Sequence, residues 1–201
     1  MIAIIDYGMG NLRSVEKALE RVGAPEVCVT SDPGRIAAAE KLVLPGVGAI
    51  RPAMDRLNEL ALPSVIKAQV TAGKPFLGIC LGFQLLFETS TEGGSSEALG
   101  ILAGTVERFP DTVKVPQMGW NALRLVQKGC PMYRGINDGA FVYFCHSYYG
   151  RPLDPAVTAT VTEYGFDYTS SVCRGNVWGV QFHPEKSQTV GLAILKNFVS
   201  L

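Results

Sequence analysis

The chain has 201 residues, 47% of them hydrophobic, and its 18 Lys+Arg balance 18 Asp+Glu for a formal charge of zero. That balance leaves no electrostatic footprint for nucleic acid or for an anionic membrane surface. The longest apolar run, 42–50, is broken by Pro45, Gly46 and Gly48 and is too short to span a bilayer.

Residues 2–5 read as a first buried strand. No basic segment precedes them, so a signal peptide is not expected and a cytoplasmic setting is. Gly8 and Gly10 follow, but the third glycine of a dinucleotide-binding G-x-G-x-x-G would fall at Arg13, and that reading fails. Helical spacing runs over 12–22 and is ended by Gly23 and Pro25. A strand over 27–29, a helical turn over 32–39 and a third strand over 42–44 come next, the last stopped by Pro45-Gly46-Val47-Gly48. Helices over 50–57 and 63–72 precede an apolar strand at 76–79, and 81–88 again has helical spacing. Such alternation predicts a parallel sheet covered on both faces. After a polar loop at 91–96 the pattern changes to β-rich runs over 105–109, 120–126, 141–149, 158–163, 170–173 and 177–182. An amphipathic helix over 190–199 closes the chain. With no repeat and no low-complexity linker, one α/β domain over 1–201 with a β-rich second half is the expectation.

The junction of the fourth strand and its helix carries Gly78-Ile79-Cys80-Leu81-Gly82, a G-x-S-x-G nucleophile elbow with cysteine in place of serine. Such a turn brings backbone against backbone, so a Cβ two positions either side of the nucleophile would clash. It also sets the sulfur at a helix N-terminus, where the dipole favours thiolate. A cysteine in an apolar run is most often a plain core residue; the paired glycines favour the nucleophile. Cys28, Cys145 and Cys173 lie in strand-like runs and read as reduced core residues, since the count of five is odd and no C-x-x-C occurs. The only histidines are His146 and His183, neither at zinc spacing, so no metal site is expected.

A thiolate nucleophile needs a base, a group to orient the base, and an oxyanion hole. His146 follows Cys145 directly, and neighbours on a strand face opposite ways, so those two form no dyad. His183 ends the last strand, at the sheet's carboxyl edge, where Cys80 also emerges. Pro184 favours an extended His183, and Glu185 at i+2 would share its side and orient the imidazole. The oxyanion donors would be the Leu81 N–H and an N–H of the 45–48 loop, where glycines flanking Val47 let a peptide reorient. An ordinary strand-ending turn would have the same composition.

Taken in order, Pro45-Gly46-Val47-Gly48, the stretch 78–84 and His183-Pro184-Glu185 resemble the class I (triad-type) glutamine amidotransferase family across essentially the whole chain. Residues 6–12, 116–121, 143–148 and 181–187 are similar to one branch of it, the glutaminase subunits of imidazole glycerol phosphate synthases. The resemblance implies a flavodoxin-like three-layer α/β sandwich with a mostly parallel central sheet and no cofactor. It implies hydrolysis of L-glutamine to glutamate and ammonia through a γ-glutamyl thioester on Cys80, with His183 and Glu185 completing the triad and Val47 and Leu81 forming the oxyanion hole. Substrate contacts would come from Gly46, Gly48, Gln84, Tyr143 and Ser147. Ammonia would pass to a separate (β/α)8 cyclase subunit in a one-to-one heterodimer of histidine biosynthesis, docked against Gly10, Asn11, Met118, Trp120 and Lys186. Without the resemblance, Met118 and Trp120 would read as core and Lys186 as a solvated charge. Gln117 stands where the family usually has histidine, and Phe83 where methionine is common; neither touches the triad. The same triad would serve a synthase of vitamin B6 or anthranilate type, but residues 116–121 and Lys186-Ser187 favour the first branch. A non-catalytic regulatory scaffold is disfavoured by the intact Cys80, His183 and Glu185.

Overall fold

Alternate residues of the first strand, β1 (Ile2–Ile5), are buried on opposite sides. Ile2 and Ile4 join one apolar cluster, Ala3 and Ile5 the other. In the computed structural model, which describes residues 1–201, this two-sidedness extends over an eight-stranded sheet. β2 (Val27–Thr30), β3 (Lys41–Gly46) and β4 (Phe76–Cys80) run parallel to β1. Between them lie α1 (Leu12–Arg21), α2 (Pro33–Ala38), α3 (Ile50–Glu59) and α4 (Leu62–Thr71). In α1, Val15, Ala18 and Leu19 are the buried positions, at the spacing of one helical stripe.

A one-turn helix, α5 (Leu81–Gln84), follows β4 directly. β5 (Thr89–Ser90), β6 (Ser96–Glu97), β7 (Gly104–Arg108), β8 (Gln117–Ala122), β9 (Arg124–Leu125), β10 (Phe141–His146) and β11 (Tyr148–Pro152) come next. β12 (Thr158–Glu163), β13 (Asp167–Arg174), β14 (Val177–Val180) and α6 (Gln188–Val199) complete the chain. The sheet order is β2-β1-β3-β4-β14-β13-β12-β9. β14 adds parallel to β4, and β13, β12 and β9 extend the sheet antiparallel. Clusters of 25 and 24 buried residues occupy its two faces, so neither face is left bare and the architecture is a three-layer sandwich. No helix is long and apolar enough to cross a membrane.

The insertion of β14 beside β4, with Val180 opposite Ile79, is what positions the site. Residues just beyond β14, Gln181 to His183, emerge next to Cys80 at the end of β4, although a hundred positions separate them in sequence.

Three expectations are corrected. The helix expected over 81–88 lasts one turn. The N–H groups of Leu86 and Phe87 tighten onto i−3 carbonyls, and the carbonyls of Leu85, Leu86 and Phe87 are taken by N–H groups of the returning segment 99–102. The dipole offered to Cys80 is therefore that of a single turn. The run 141–149 divides at Ser147, with β10 pairing β8 in a two-stranded sheet and β11 pairing β7 in a separate four-stranded one. The run 120–126 divides at the buried Leu123, and its first strand begins earlier, at Gln117.

The elbow glycines are sterically required. A Cβ on Gly78 would lie 2.5 Å from the Gly82 carbonyl oxygen, and one on Gly82 would lie 1.7 Å from that of Leu44. Neither neighbour is a flexible side chain, so β3 and α5 would have to part. Gly82→Ala is expected to destabilise by at least the ~1–3 kcal/mol typical of overpacking, read as a fall in the urea midpoint. An unchanged midpoint would mean that the β3–α5 contact is not rigid.

Candidate active site

Cys80 has φ 55° and ψ −107°, a region that costs a residue with a side chain roughly 1–3 kcal/mol. Only the packed glycines around it hold the chain there, and the result is a sulfur lifted off the end of β4 into a cavity. His183 lines the same cavity as Cys80, and its Nδ1 is 2.8 Å from Glu185 Oε1. Both side chains of the His–Glu pair are almost wholly buried, at 5% and 1% exposure. Burial alone would lower the His183 pKa. Interaction with Cys80 and Glu185, whose negative charges favour the protonated ring, outweighs it and pushes the imidazole up to about 10. Glu185 Oε2 has no partner, so this carboxylate serves His183 alone.

Backbone contacts fix the imidazole. The His183 N–H donates to the Tyr143 carbonyl at 2.9 Å, and Ser187 Oγ donates to the His183 carbonyl at 2.7 Å. His183 itself is extended, as expected, but Pro184–Lys186 form a single 3-10 turn. Glu185 thus reaches His183 by the chain curling back, not by strand alternation.

The cavity, about 340 Å³, falls in the size range of small-molecule sites. It brings together Val47, Gly48, Leu81, Gln84, Ser147 and Lys186 around Cys80 and His183. Leu81 begins α5, so its N–H is a helix-start donor without an intrahelical acceptor. Gly48 sits at φ +98°, a conformation that suits glycine. Gly46, expected to contact substrate, does not line the cavity; it pairs with Cys80 in the β3–β4 register. A Cβ there would meet Tyr7 Oη at 2.2 Å and Leu81 Cβ at 2.9 Å. Tyr7 is fully buried with its hydroxyl unpartnered, and burial, then the Cys80 charge, raises its pKa.

Tyr143 lies outside the cavity. It shares a β10 face with Cys145, which does line it, but stands two residues, roughly 7 Å, further along, opposite Trp120. Its contribution is the backbone carbonyl that seats His183. Met118 and Trp120 are 65% and 44% exposed on that same β8–β10 face, joined by Phe141 at 57%. These are no core residues; together they make an apolar patch. Gly10 approaches Pro45 at the base of the 45–48 loop, and Asn11 is exposed beside it. Cys145, read as core, is half-buried at the cavity wall, whereas Cys28 and Cys173 are buried as expected.

His146 is not a competing base. Its Nδ1 is 2.7 Å from the Tyr148 carbonyl, and burial, aided by the His183 charge, pushes it down to about 3. Two residues of the site escaped the sequence reading, Gln181 beside Cys80 and Glu92 in the cavity wall. Gln181, wholly buried, directs Nε2 at Cys80 Sγ, 4.0 Å away, and accepts from Gln84 Nε2 at 3.1 Å. Glu92 is the only carboxylate lining the cavity, and its Oε2 accepts the Ile50 N–H that opens α3. No group of three His, Cys, Asp or Glu side chains gathers to hold a metal ion.

Comparison with known proteins places this geometry among relatives. The model of the family "Glutamine amidotransferase class-I" matches residues 3–201. The imidazole glycerol phosphate synthase subunit HisH of Moorella thermoacetica is 54% identical over 200 residues, covering 100% of this chain and 94% of that protein. The subunit of the same name from Aquifex aeolicus is 54% identical over 195 residues, covering 97% and 94%. Among solved structures, one described as a glutamine amidotransferase superposes with a TM-score of 0.77 at 19% identity, covering 100% of this chain and 99% of that one. PurLQS from Thermotoga maritima superposes with a TM-score of 0.72 at 21% identity, covering 99% and 97%. At those identities the structural likeness speaks for the fold.

Proposed function

The chain belongs to the class-I glutamine amidotransferase family, and from that premise we propose that it is the glutaminase subunit of an imidazole glycerol phosphate synthase, delivering ammonia to a (β/α)8 cyclase partner. The observation that carries the chemistry is the strained Cys80 beside a His183–Glu185 pair at 2.8 Å, opening on one cavity. The Cys80 sulfur attacks the side-chain amide carbon of L-glutamine. The oxyanion that forms takes hydrogen bonds from the Leu81 N–H and from a peptide N–H at Val47, each such donor being worth about 2.7–4 kcal/mol in the transition state. Protonated His183 gives its proton to the departing nitrogen, and ammonia leaves a γ-glutamyl thioester. His183, now neutral, takes a proton from water; the hydroxide oxygen adds to the thioester, and glutamate and the Cys80 thiolate are released. Gln84, Glu92, Gly48 and Ser147 hold the amino-acid end of the substrate, with Glu92 suited to an α-ammonium group.

The apolar Met118–Trp120–Phe141 face, with Lys186 at the cavity wall and Gly10 and Asn11 beside the 45–48 loop, is the surface proposed to meet the cyclase in a one-to-one complex. Val47 sits between Gly46 and Gly48 in a loop that such a partner could reset. The isolated chain is therefore expected to release glutamate slowly, and the complex at least tenfold faster. Glutamate release with and without the cyclase and its phosphoribosyl substrate tests this. Full activity of the isolated chain would remove the switch, and inactivity of the complex would remove the function.

A further inference from the structure

Gln84 reaches the cavity with its amide already committed. Its Nε2 donates to the Tyr148 carbonyl at 2.8 Å and to Gln181 Oε1 at 3.1 Å. Both amide protons are spent, so Oε1 is the atom left for a ligand. The Tyr148 carbonyl has a second donor, His146 Nδ1 at 2.7 Å. A carbonyl oxygen only accepts, so the neutral ring must carry its single proton on Nδ1. The ring's other edge faces the Tyr168 hydroxyl at 3.4 Å, which donates to Gln117 Oε1 at 2.8 Å; Gln117 Nε2 continues to Asn121 Oδ1 at 2.9 Å. Phe109 and Phe144 flank the imidazole at centroid distances of 5.2 and 5.7 Å. His146, Tyr168 and Gln117 are all buried, Gln117 completely.

Resting on the glutaminase reading above, we propose that His146 is a positioning residue for substrate. Its Nδ1–H clamps the Tyr148 carbonyl, and that carbonyl fixes the Gln84 amide with Oε1 toward the cavity as an acceptor for an N–H group of glutamine. The location explains why a clamp is needed. Tyr148 follows the break at Ser147, where the chain leaves the β8–β10 pair for the β7–β11 sheet, and Ser147 and Tyr148 both wall the cavity. The peptide there belongs to the end of one sheet and the start of another, and two side-chain donors hold its oxygen. Gln117, in the position where the family usually has histidine, is part of the wedge behind the ring. Burial keeps the imidazole neutral, with a pKa of about 3, so the clamp does not change with pH in the working range.

The test uses the asymmetry of the imidazole. In His146→Asn the side-chain NH2 can occupy the place of Nδ1; in His146→Gln it reaches the place of Nε2; in His146→Phe the aromatic packing survives and both ring nitrogens, with the one N–H donor, are lost. Steady-state glutamine hydrolysis is measured in the complex with the cyclase, with thermal melting of each variant alongside. The Asn variant should keep the wild-type KM within about threefold, and the Gln and Phe variants should raise it about tenfold, the scale of one lost hydrogen bond. In all three kcat should stay within about threefold. A Phe variant with wild-type KM, or an Asn variant as impaired as Phe, would overturn the clamp in favour of plain packing. Should the Phe variant fail to fold, the Asn–Gln pair decides alone. Wild-type complex without glutaminase activity would instead overturn the reading on which the clamp rests.

Discussion

Replacing Cys80 by alanine should abolish glutamate release from glutamine, by a factor on the order of 10⁶, while the complex continues to make product from ammonium ions. No other group can take over. Cys145 also lines the cavity, but its β10 position sets it opposite Met118, and it is Cys80, not Cys145, that acts on the His183 imidazole. Ser147 has no base beside it: His146 is committed to the Tyr148 carbonyl and stays neutral. Alanine should be tolerated structurally, because the elbow at φ 55° already accommodates a Cβ at position 80 and the required glycines are untouched. Ammonia supplied from solution bypasses the thioester, so the ammonium-dependent rate separates a lost nucleophile from a lost fold. Two assays on one preparation suffice. Glutamate release at the wild-type rate would move the nucleophile elsewhere, and loss of both activities would show that the substitution had disrupted the complex.

The elbow was legible because its requirement is local. The clashes that Gly78 and Gly82 avoid involve the five-residue turn itself and the adjacent strand end at Leu44. The pairing of His183 with Glu185 was legible from spacing, although the structure achieves it with a 3-10 turn where an extended segment was expected. Gln181 and Glu92 were not legible, because what makes them site residues is distant. Gln181 acquires its role from Cys80 and Gln84, about a hundred positions away, and Glu92 from the start of α3. The division of 141–149 at Ser147 was hidden for a related reason. The apolar character of the run is continuous across the break, and only the choice of partner strand, β8 before it and β7 after it, ends one element and begins the next. Likewise the early end of α5 is imposed by the segment 99–102, which returns to take its carbonyls. Local sterics and periodicity made the elbow and most elements legible; non-local hydrogen bonds set the shape of the cavity.

The second large effect expected is that of His183→Asn, which should prevent accumulation of the γ-glutamyl thioester at neutral pH and lower glutamine turnover by roughly 10⁴-fold or more. Asparagine can keep a donor near Nδ1 for Glu185 but offers nothing at the far edge of the ring, where His183 meets Cys80. Without that contact the leaving nitrogen has no proton source and the hydrolytic water no base. A burst experiment with a glutamine analogue checks this directly, and an unchanged burst would remove His183 from the mechanism. The same variant carries a signature in stability. The His183 pKa is raised from 6.5 to about 10 in the folded protein, so its stabilising contribution is fully present below pH 6.5 and is lost as pH rises toward 10. The stability gap between wild type and variant should accordingly narrow from pH 6.5 to pH 10 in denaturant titrations. A gap that stayed constant from pH 6.5 to pH 10 would instead mean that His183 is buried neutral, with Glu185 holding a ring that carries no charge to share with Cys80.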